Sequence, residues 1–193
     1  MSVTAPQGFA AAGVASGIKA SGRLDLAIVA NLGPRFAAAG VFTRNRVVAA
    51  PVRWSREAVA DGQLRAVVLN SGGANACTGQ LGLTDAQAMA GATAAALGME
   101  AGDVAVCSTG LIGTRLPMTE VTSGIGRACA QLAATGGEAA ATAIMTTDTV
   151  IKQSAHQDGG WTIGGMAKGA GMLAPGLATM LVVLTTDASL EPS

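Results

Sequence analysis

The chain has 193 residues, 50% of them hydrophobic, and its 12 Lys plus Arg balance its 12 Asp plus Glu. This length is enough for one sizeable domain with its own buried core. A net charge near zero, without long runs of either sign, argues against nucleic acid and membrane surfaces as partners. No apolar run approaches the roughly 18 residues of a membrane-spanning helix. The first residues also lack a signal peptide's basic start and apolar core. We therefore expect a cytoplasmic protein.

The first part of the chain predicts strands and then a helix. Runs of aliphatic and β-branched residues, bounded by Gly, Asn or Pro, predict strands at LDLAIVAN, AGVFTRNRVVAAPV and LRAVVLN, which are residues 24–31, 39–52 and 64–70. A helix is predicted at TDAQAMAGATAAALG, because Thr84 and Gln87 have the spacing of a capping box and Gly98 stands where a helix would stop.

The order of strand, glycine-rich turn and helix then repeats. DVAVCSTGLIG, residues 103–113, predicts a strand and a turn. The next segment predicts a helix that begins at Pro117 and ends at Gly136 and Gly137. Residues 140–149 fit the end of a helix or a strand equally well. WTIGGMAKGAGM and TMLVVLTTDA predict two strands joined by a loop. Together these elements predict an α/β layered domain.

The usual metal and nucleophile patterns are missing. Cys77, Cys107 and Cys129 have no Cys-x-x-Cys spacing, and the single His156 does not complete a zinc-type pattern with them. We expect buried, reduced thiols and no metal site. A Ser-His-Asp or Cys-His system is also poorly supported, because His156 lies in the hydrophilic segment KQSAHQDGG, whose composition predicts an exposed turn.

Small polar loops follow the apolar runs at residues 70–79, 108–113 and 145–149. Glycine-rich turns at strand ends can present N–H groups to an oxyanion or a phosphate. None of these loops matches the nucleotide-binding patterns GxxxxGK[ST] or GxGxxG. Tight turns that need a positive φ explain the same glycines. Both a catalytic and a structural role therefore stay open.

The seam between Ala178 and Thr179 offers another kind of nucleophile. If the peptide bond before a threonine is cut, the released α-amine, with a pKa of about 7.7–8.0, can serve as the base for the hydroxyl. Ala178 leaves room for the attack, and Pro175 with Gly176 can bend the chain just upstream. Lys168, in a glycine-rich turn, can return across a hairpin to hold an acidic group. Threonine is also common in strands, so a structural Thr179 stays open.

The stretch KGAGMLAPGLATML, residues 168–181, resembles the processing site of the ornithine acetyltransferase family. Some members of that family are bifunctional and also act as the glutamate N-acetyltransferase of arginine biosynthesis. The resemblance extends over essentially the whole chain, through GFAAAGVASGIK, VFTRNRVVAAPV, LNSGGANACTG, CSTGLIG, MTTDT and VLTTDA. It implies self-cleavage between Ala178 and Thr179. Residues 1–178 would then be the α-chain region and 179–193 the start of the β chain, in a heterotetramer of two α and two β chains.

The resemblance also implies a role for each matching residue. Thr179 matches the nucleophile, Thr109 and Gly110 match the oxyanion hole, and Thr146 and Lys168 match substrate-binding positions. The implied reaction moves the acetyl group of N2-acetylornithine to glutamate through an acetyl-threonine intermediate. No cofactor is implied, and acetyl-CoA is a further acetyl donor in the bifunctional members.

The chain departs from the family pattern at its end, because only Met180 to Ser193 follow the matched nucleophile. The family's β chain is much longer and supplies further substrate-binding groups. We therefore expect a fragment of a longer gene product, or a truncated chain, with an incomplete fold and active site. Two alternatives stay open: a self-processing hydrolase or aminopeptidase on the same scaffold, and a non-catalytic domain in which Thr179 is structural.

Overall fold

A four-stranded sheet lies at the centre of the computed structural model, which describes residues 2–170 and 179–190. In spatial order its strands are β1 (Phe9–Val14), β2 (Leu26–Asn31), β3 (Ala66–Gly73) and β4 (Val104–Leu111). The first three strands pair antiparallel, whereas β3 and β4 pair parallel. The carboxyl ends of β3 and β4 therefore lie side by side at one end of the sheet.

Three helices cover one face of this sheet: α1 (Ala50–Ala58), α2 (Gly79–Leu97) and α3 (Met118–Ala130). A short 3-10 turn, Ala101–Asp103, leads from α2 into β4. Alternate strand residues point to the helices and form a closed apolar core with Leu26, Ile28, Val68, Met89, Val106 and Ile125, all at most 1% exposed. Fully burying one such large side chain contributes roughly 1.5–3 kcal/mol.

The opposite face carries a short helix and a second sheet. Helix α4 (Gly137–Ala143) is followed by an antiparallel meander of β5 (Lys152–Asp158), β6 (Trp161–Lys168) and β7 (Leu181–Thr186). Glycines let α4 approach the central sheet at backbone distance. A Cβ atom on Gly136 would lie 1.8 Å from the Ala11 carbonyl oxygen, and one on Gly13 would lie 2.1 Å from the Ala139 carbonyl oxygen.

Most predicted strands are confirmed. LDLAIVAN, LRAVVLN and DVAVC contain β2, β3 and the start of β4, and WTIGGMAK and LVVLTT are β6 and β7. Gly98 is also confirmed as the stop of α2, since it caps that helix in the left-handed conformation at φ 66°. The layered α/β architecture follows from these elements.

The strand predicted over residues 39–52 is wrong. Residues 39–49 form no regular element, and α1 begins at Ala50 with a proline in its first turn. Proline lacks an N–H and has a fixed φ, so the first turn of a helix accepts it well. The buried residues Ala50, Pro51, Ser55 and Ala58 then follow helical spacing, which the β-branched run before them obscured.

Two helix boundaries also differ from the prediction. Helix α2 begins at Gly79, and the hydroxyl of Thr84 donates to the Gln80 carbonyl oxygen instead of capping the helix. Helix α3 ends at Ala130. Gly136 and Gly137, predicted as its end, are instead the N-cap and the first residue of α4. A Cβ atom would collide with Ala11 of β1 at Gly136 and with the Ser2 side chain at Gly137.

Two strands were not predicted, because neither sequence carries the usual β signal. Strand β1 has the sequence FAAAGV, which is mostly small, and β5 has the polar sequence KQSAHQD. His156 is exposed, as expected, but the predicted turn is wrong because His156 pairs with Ile163 in the β5–β6 ladder. Register with β6 overrides the polar composition there.

The three cysteines are free thiols. Cys77 is exposed and not buried as expected, because it lies in the loop before α2 with φ 58°. Cys107 and Cys129 are half-buried, and burial raises the pKa of each thiol to about 11. Within residues 2–170 and 179–190, no cluster of His, Cys, Asp or Glu could hold a metal ion, and no helix is long and apolar enough to cross a membrane.

Candidate active site

The carboxyl ends of β3 and β4 meet without intervening side chains. Gly72 pairs with Gly110, and the ladder shifts its register at Gly73. Gly110 has φ 131°, and a Cβ atom there would lie 2.4 Å from the Gly72 carbonyl carbon. Glycine is therefore required at Gly110 both by its backbone conformation and by the close approach of the neighbouring strand. The preceding Thr109 is held in place by this contact.

A cavity of about 940 Å³ opens beside this end of the sheet. Its walls come from the ends of β3, β4 and β6, from the loop after α4 and from the loop before β2. The cavity unites every predicted site residue that the structure describes: Thr109, Gly110, Thr146, Lys168 and Thr179. Residues that are far apart in sequence thus face one space.

Lys168 lies at the base of this cavity and is only 5% exposed. It is the last residue of β6, not part of a turn as predicted, and it pairs with Leu181 of β7. That register places Thr179, two residues before Leu181, at the same end of the ladder. The β6–β7 pairing thus brings Lys168 and Thr179 to one end of the ladder, and the predicted role of Lys168 in holding an acidic group stays a prediction.

The ammonium group of Lys168 donates a hydrogen bond from Nζ to Thr109 Oγ1 at 3.0 Å. Because this hydroxyl oxygen accepts from the lysine, the proton of Thr109 remains free to be donated elsewhere. A donor beside a buried cation can stabilise an oxygen that becomes negative during a reaction. Burial lowers the pKa of Lys168, the charge of Asp148 opposes that shift, and Lys152 adds to it.

Asp148 organises the loop that carries Thr146. One carboxylate oxygen accepts from the Thr146 N–H at 3.3 Å, and the other accepts from the Gly169 N–H at 2.8 Å. The second oxygen also forms a salt bridge with Lys152, whose side chain is 43% exposed, whereas that of Asp148 is 1% exposed. Burial raises the pKa of Asp148, but these hydrogen bonds and the Lys152 charge outweigh it and hold the pKa at about 2.

Lys19 fastens the other end of the same loop. Its Nζ donates to the Leu24 carbonyl at 2.9 Å and to the Met145 carbonyl at 2.8 Å. Burial lowers its pKa, Asp25 opposes that shift, and the charges of Arg23 and Lys168 add to it. The segment that delivers Lys19 is folded around the fully buried Asp25, which accepts from the Lys19 N–H at 2.9 Å.

Sequence reasoning missed Lys19 and Asp148 as site residues. Both stood inside motifs that carried the family resemblance, GFAAAGVASGIK and MTTDT, but nothing in the spacing showed that they face the cavity. Thr147, the neighbour of Thr146, also lines the cavity. Thr179 is half-buried, and no hydrogen bond of its side chain is among those described. Ala178, the other half of the predicted cleavage site, lies outside the described residues.

A second cavity, of about 410 Å³, lies on the same face of the central sheet. Its walls include Phe42, Cys107 and Val183. Its walls also include the cations Arg35 and Arg65, but it contains none of the residues predicted for the site. Thr109, Lys168 and Thr179 line the larger cavity, which is therefore the candidate site.

Residues 10–193 match the model of the ArgJ family. The chain belongs to the ArgJ family. Curated relatives named arginine biosynthesis bifunctional protein ArgJ, from Streptomyces coelicolor and Thermobifida fusca, are each 64% identical to it, over 99% and 100% of this chain. The match covers 50% of each relative, so the chain spans about half the length of the curated relatives it matches.

Two solved ArgJ-family structures share this fold. The ornithine acetyltransferase of Mycobacterium tuberculosis, solved in complex with ornithine, is 60% identical with a TM-score of 0.89, over 92% of this chain and 96% of that chain. The ArgJ protein of Bacillus halodurans is 39% identical with a TM-score of 0.81, over 94% and 95% of the two chains. The predicted family and the predicted layered α/β fold are both confirmed.

Proposed function

We propose that the complete gene product transfers the acetyl group of N2-acetylornithine to glutamate in arginine biosynthesis. Thr179 is the nucleophile and carries the acetyl group between the two half-reactions. The observation that carries this proposal is the single cavity that joins Thr179 to Thr109, Gly110 and Lys168 in an ArgJ-family fold. The crystal complex of the M. tuberculosis relative with ornithine gives further support.

The nucleophile requires cleavage between Ala178 and Thr179. Only then does Thr179 have a free α-amine that can take the proton from its own hydroxyl. The relatives support this step. The match covers 49% of the curated M. tuberculosis protein but 96% of the polypeptide in the crystal from that species, so the crystallised chain is about half the curated length. Residues 1–178 are then the α chain, and 179–193 begin the β chain.

The reaction follows a ping-pong course. The Oγ of Thr179 attacks the acetyl carbonyl carbon of N2-acetylornithine, and its proton passes to the α-amine of Thr179. The oxygen that becomes negative accepts hydrogen bonds from the Thr109 hydroxyl and the Gly110 N–H. The C–N bond breaks, and ornithine leaves with the proton. The amine of glutamate then attacks the acetyl ester, the ester C–O bond breaks, and a proton from that amine returns to Thr179 Oγ as N-acetylglutamate is released. Acetyl-CoA would donate its acetyl group to the same Thr179.

The charge of the cavity suits a substrate carboxylate. Among the described residues its walls carry the cations Lys19, Arg23 and Lys168 and one carboxylate, Asp148, which is already bound to Lys152 and two backbone N–H groups. A substrate carboxylate would therefore meet an excess of positive charge. Thr146 lines the same cavity and offers a polar group to the substrate carboxylate.

The remaining part of the longer protein is the expected partner of this chain. Ile163, Val182 and Leu184 lie on one face of the second sheet and are exposed. An exposed apolar sheet face of this kind fits coverage by the longer β chain of a heterotetramer with two α and two β chains.

Intact mass under denaturing conditions tests the proposal on the complete gene product. We expect two chains, split between Ala178 and Thr179, from the unmodified protein and one uncut chain from Thr179→Ala. A single uncut chain from the unmodified protein would remove the proposed base and overturn the mechanism.

A second measurement separates transfer from hydrolysis. Acetate and N-acetylglutamate are measured after addition of N2-acetylornithine, with and without glutamate. A transferase forms N-acetylglutamate and releases little acetate when glutamate is absent. Equal acetate release with and without glutamate would identify a hydrolase on this scaffold instead.

A further inference from the structure

The buried carboxylate of Asp148 has no place in the transfer chemistry above, although it lies within that cavity. We propose that Asp148 is the positioning residue of the site: its carboxylate ties the Thr146 loop to the end of β6 and places a negative charge next to the buried Lys168. This inference rests on the proposed function for its kinetic consequence, but its structural part stands without it.

Three contacts of Asp148 join separate segments of the chain. It accepts from the N–H of Thr146 in its own loop, from the N–H of Gly169 directly after Lys168, and it pairs with Lys152 at the start of β5. The loop is also held from the other side, because Lys19 donates to the Met145 carbonyl. Asp148 therefore fixes where Thr146 lies relative to Lys168.

The charges around Lys168 show why a carboxylate is needed there. Lys168 is 5% exposed, and the hydrogen-bond partner of its ammonium group from β4, Thr109, is neutral. Two further cations interact with Lys168. Lys152 from β5 lowers the pKa of Lys168, and Lys168 in turn lowers the pKa of Lys19 in the N-terminal loop. Asp148 is the negative group that opposes burial and lowers the cost of the charge.

Without Asp148, Lys168 should therefore lose its charge at a lower pH than it does in the unmodified protein. A lysine is ionised below its pKa, so a further drop in the pKa moves the loss of charge towards neutral pH. The substrate carboxylate and the Thr109 hydroxyl would then face a neutral amine. Transfer should decline at the alkaline side of its pH profile earlier than in the unmodified protein.

The test uses the complete gene product and the pH profile of acetyl transfer from N2-acetylornithine to glutamate. In Asp148→Asn, the alkaline limb should shift to lower pH by about one unit. Asp158→Asn is the matched control, since Asp158 is exposed at the far end of the same hairpin, and it should leave the profile unchanged. Asp148→Glu keeps the charge but moves it, so it should restore the limb while raising KM.

A second pair of variants separates charge from folding. Arginine stays charged throughout the pH range. Adding Asp148→Asn to Lys168→Arg should therefore no longer shift the limb, although KM can still rise. An equal shift in both backgrounds would show that the effect does not pass through Lys168, and would overturn the proposal.

A titration that needs no activity gives the independent readout. The complete gene product is labelled with 13C at lysine Cε, and the Lys168 signal is assigned by its loss in Lys168→Arg. Lys168 should titrate at lower pH in Asp148→Asn. It should titrate at higher pH in Lys152→Met, which removes a neighbouring positive charge from a half-exposed site and keeps the test available if Asp148→Asn does not fold.

The outcomes are distinguishable from those of the proposed function. If the unmodified protein lacks transfer activity but Lys168 shows these opposite shifts in the two variants, the proposed transferase is contradicted and the role of Asp148 is kept. A working transferase in which Lys168 titrates alike in all three proteins would leave the proposed function intact and exclude Asp148 as the residue that keeps Lys168 charged.

Discussion

The two faces of the central sheet are built from different kinds of contact. The helix face is closed by large apolar side chains such as Met89 and Ile125, both fully buried. On the other face, glycine and alanine let α4 approach the sheet at backbone distance beside a second apolar cluster that includes Leu69, Ile144 and Met166. At the end of that face a cavity holds Lys168 and Asp148. The charged groups that can act on a substrate thus lie at one end of the sheet, apart from both apolar clusters.

This difference has a physical reason. A buried charge needs hydrogen-bond partners and a countercharge, and a face filled with branched side chains offers neither. At the cavity, Asp148 accepts from the N–H groups of Thr146 and Gly169 and pairs with Lys152, and Lys168 donates to the Thr109 hydroxyl. If the separation is real, substitutions on the helix face should change stability without changing transfer, and those at the cavity should do the reverse.

Ile125→Ala in α3 should give the largest effect. Ile125 is fully buried in the helix-face core, so its truncation loses apolar contacts and leaves a cavity. We expect the free energy of unfolding of the complete gene product to fall by about 2–5 kcal/mol, as measured by urea denaturation. The rate of transfer per folded molecule should not change. A matching drop in that rate would show that the two faces are coupled.

Thr109→Val at the cavity should have the opposite effect, a loss of transfer with little change in stability. Valine has nearly the shape of threonine but neither accepts from Lys168 nor donates to an oxyanion. Acetyl transfer should fall by about 10²–10³-fold, the usual cost of losing one oxyanion-hole donor. Urea denaturation should show only a small change, and Thr43→Val, which lies outside the cavity, serves as the control. Near-normal transfer by Thr109→Val would remove this residue from the oxyanion hole.

Ser55→Ala probes a polar contact within the helix face. Ser55 is 4% exposed, and its hydroxyl donates to the Val106 carbonyl at 2.8 Å and accepts from the Val106 N–H at the same distance. Loss of the hydroxyl leaves both groups of Val106 without this partner. We expect a loss of about 1–3 kcal/mol in the free energy of unfolding. Unchanged stability would mean that water replaces the hydroxyl, and the helix face would be less closed than its packing indicates.

The two faces also differ in how far the sequence predicts them. The central strands were predictable because β2 and β3 are continuous apolar runs, and Gly98 was predictable as a helix stop. Strand β1 was not predictable, because its small residues pack against α4 at backbone distance and lack the usual β signal. At the cavity, the chemistry of the Ala178–Thr179 seam suggested Thr179 and Lys168, and the family resemblance gave them roles and added Thr109. Physical patterns alone did not show that Asp148 joins them, because its partners are distant backbone N–H groups.

The pH dependence of stability should give the smallest effect, and it tests whether the charge of Asp148 at the cavity contributes to the stability of the fold. Asp148 has a pKa of about 2 in the folded protein, below the value of about 3.9 for an unfolded aspartate. A lowered pKa contributes stability above the unfolded value, and that contribution disappears as pH falls through the folded value. Asp148→Asn should therefore be less stable than the unmodified protein at pH 5, and the gap in urea midpoint should narrow between pH 4 and pH 2. A gap that stays constant with pH would mean that Asp148 stabilises the fold by its hydrogen bonds alone, and the charged face would then contribute nothing to stability through its charge.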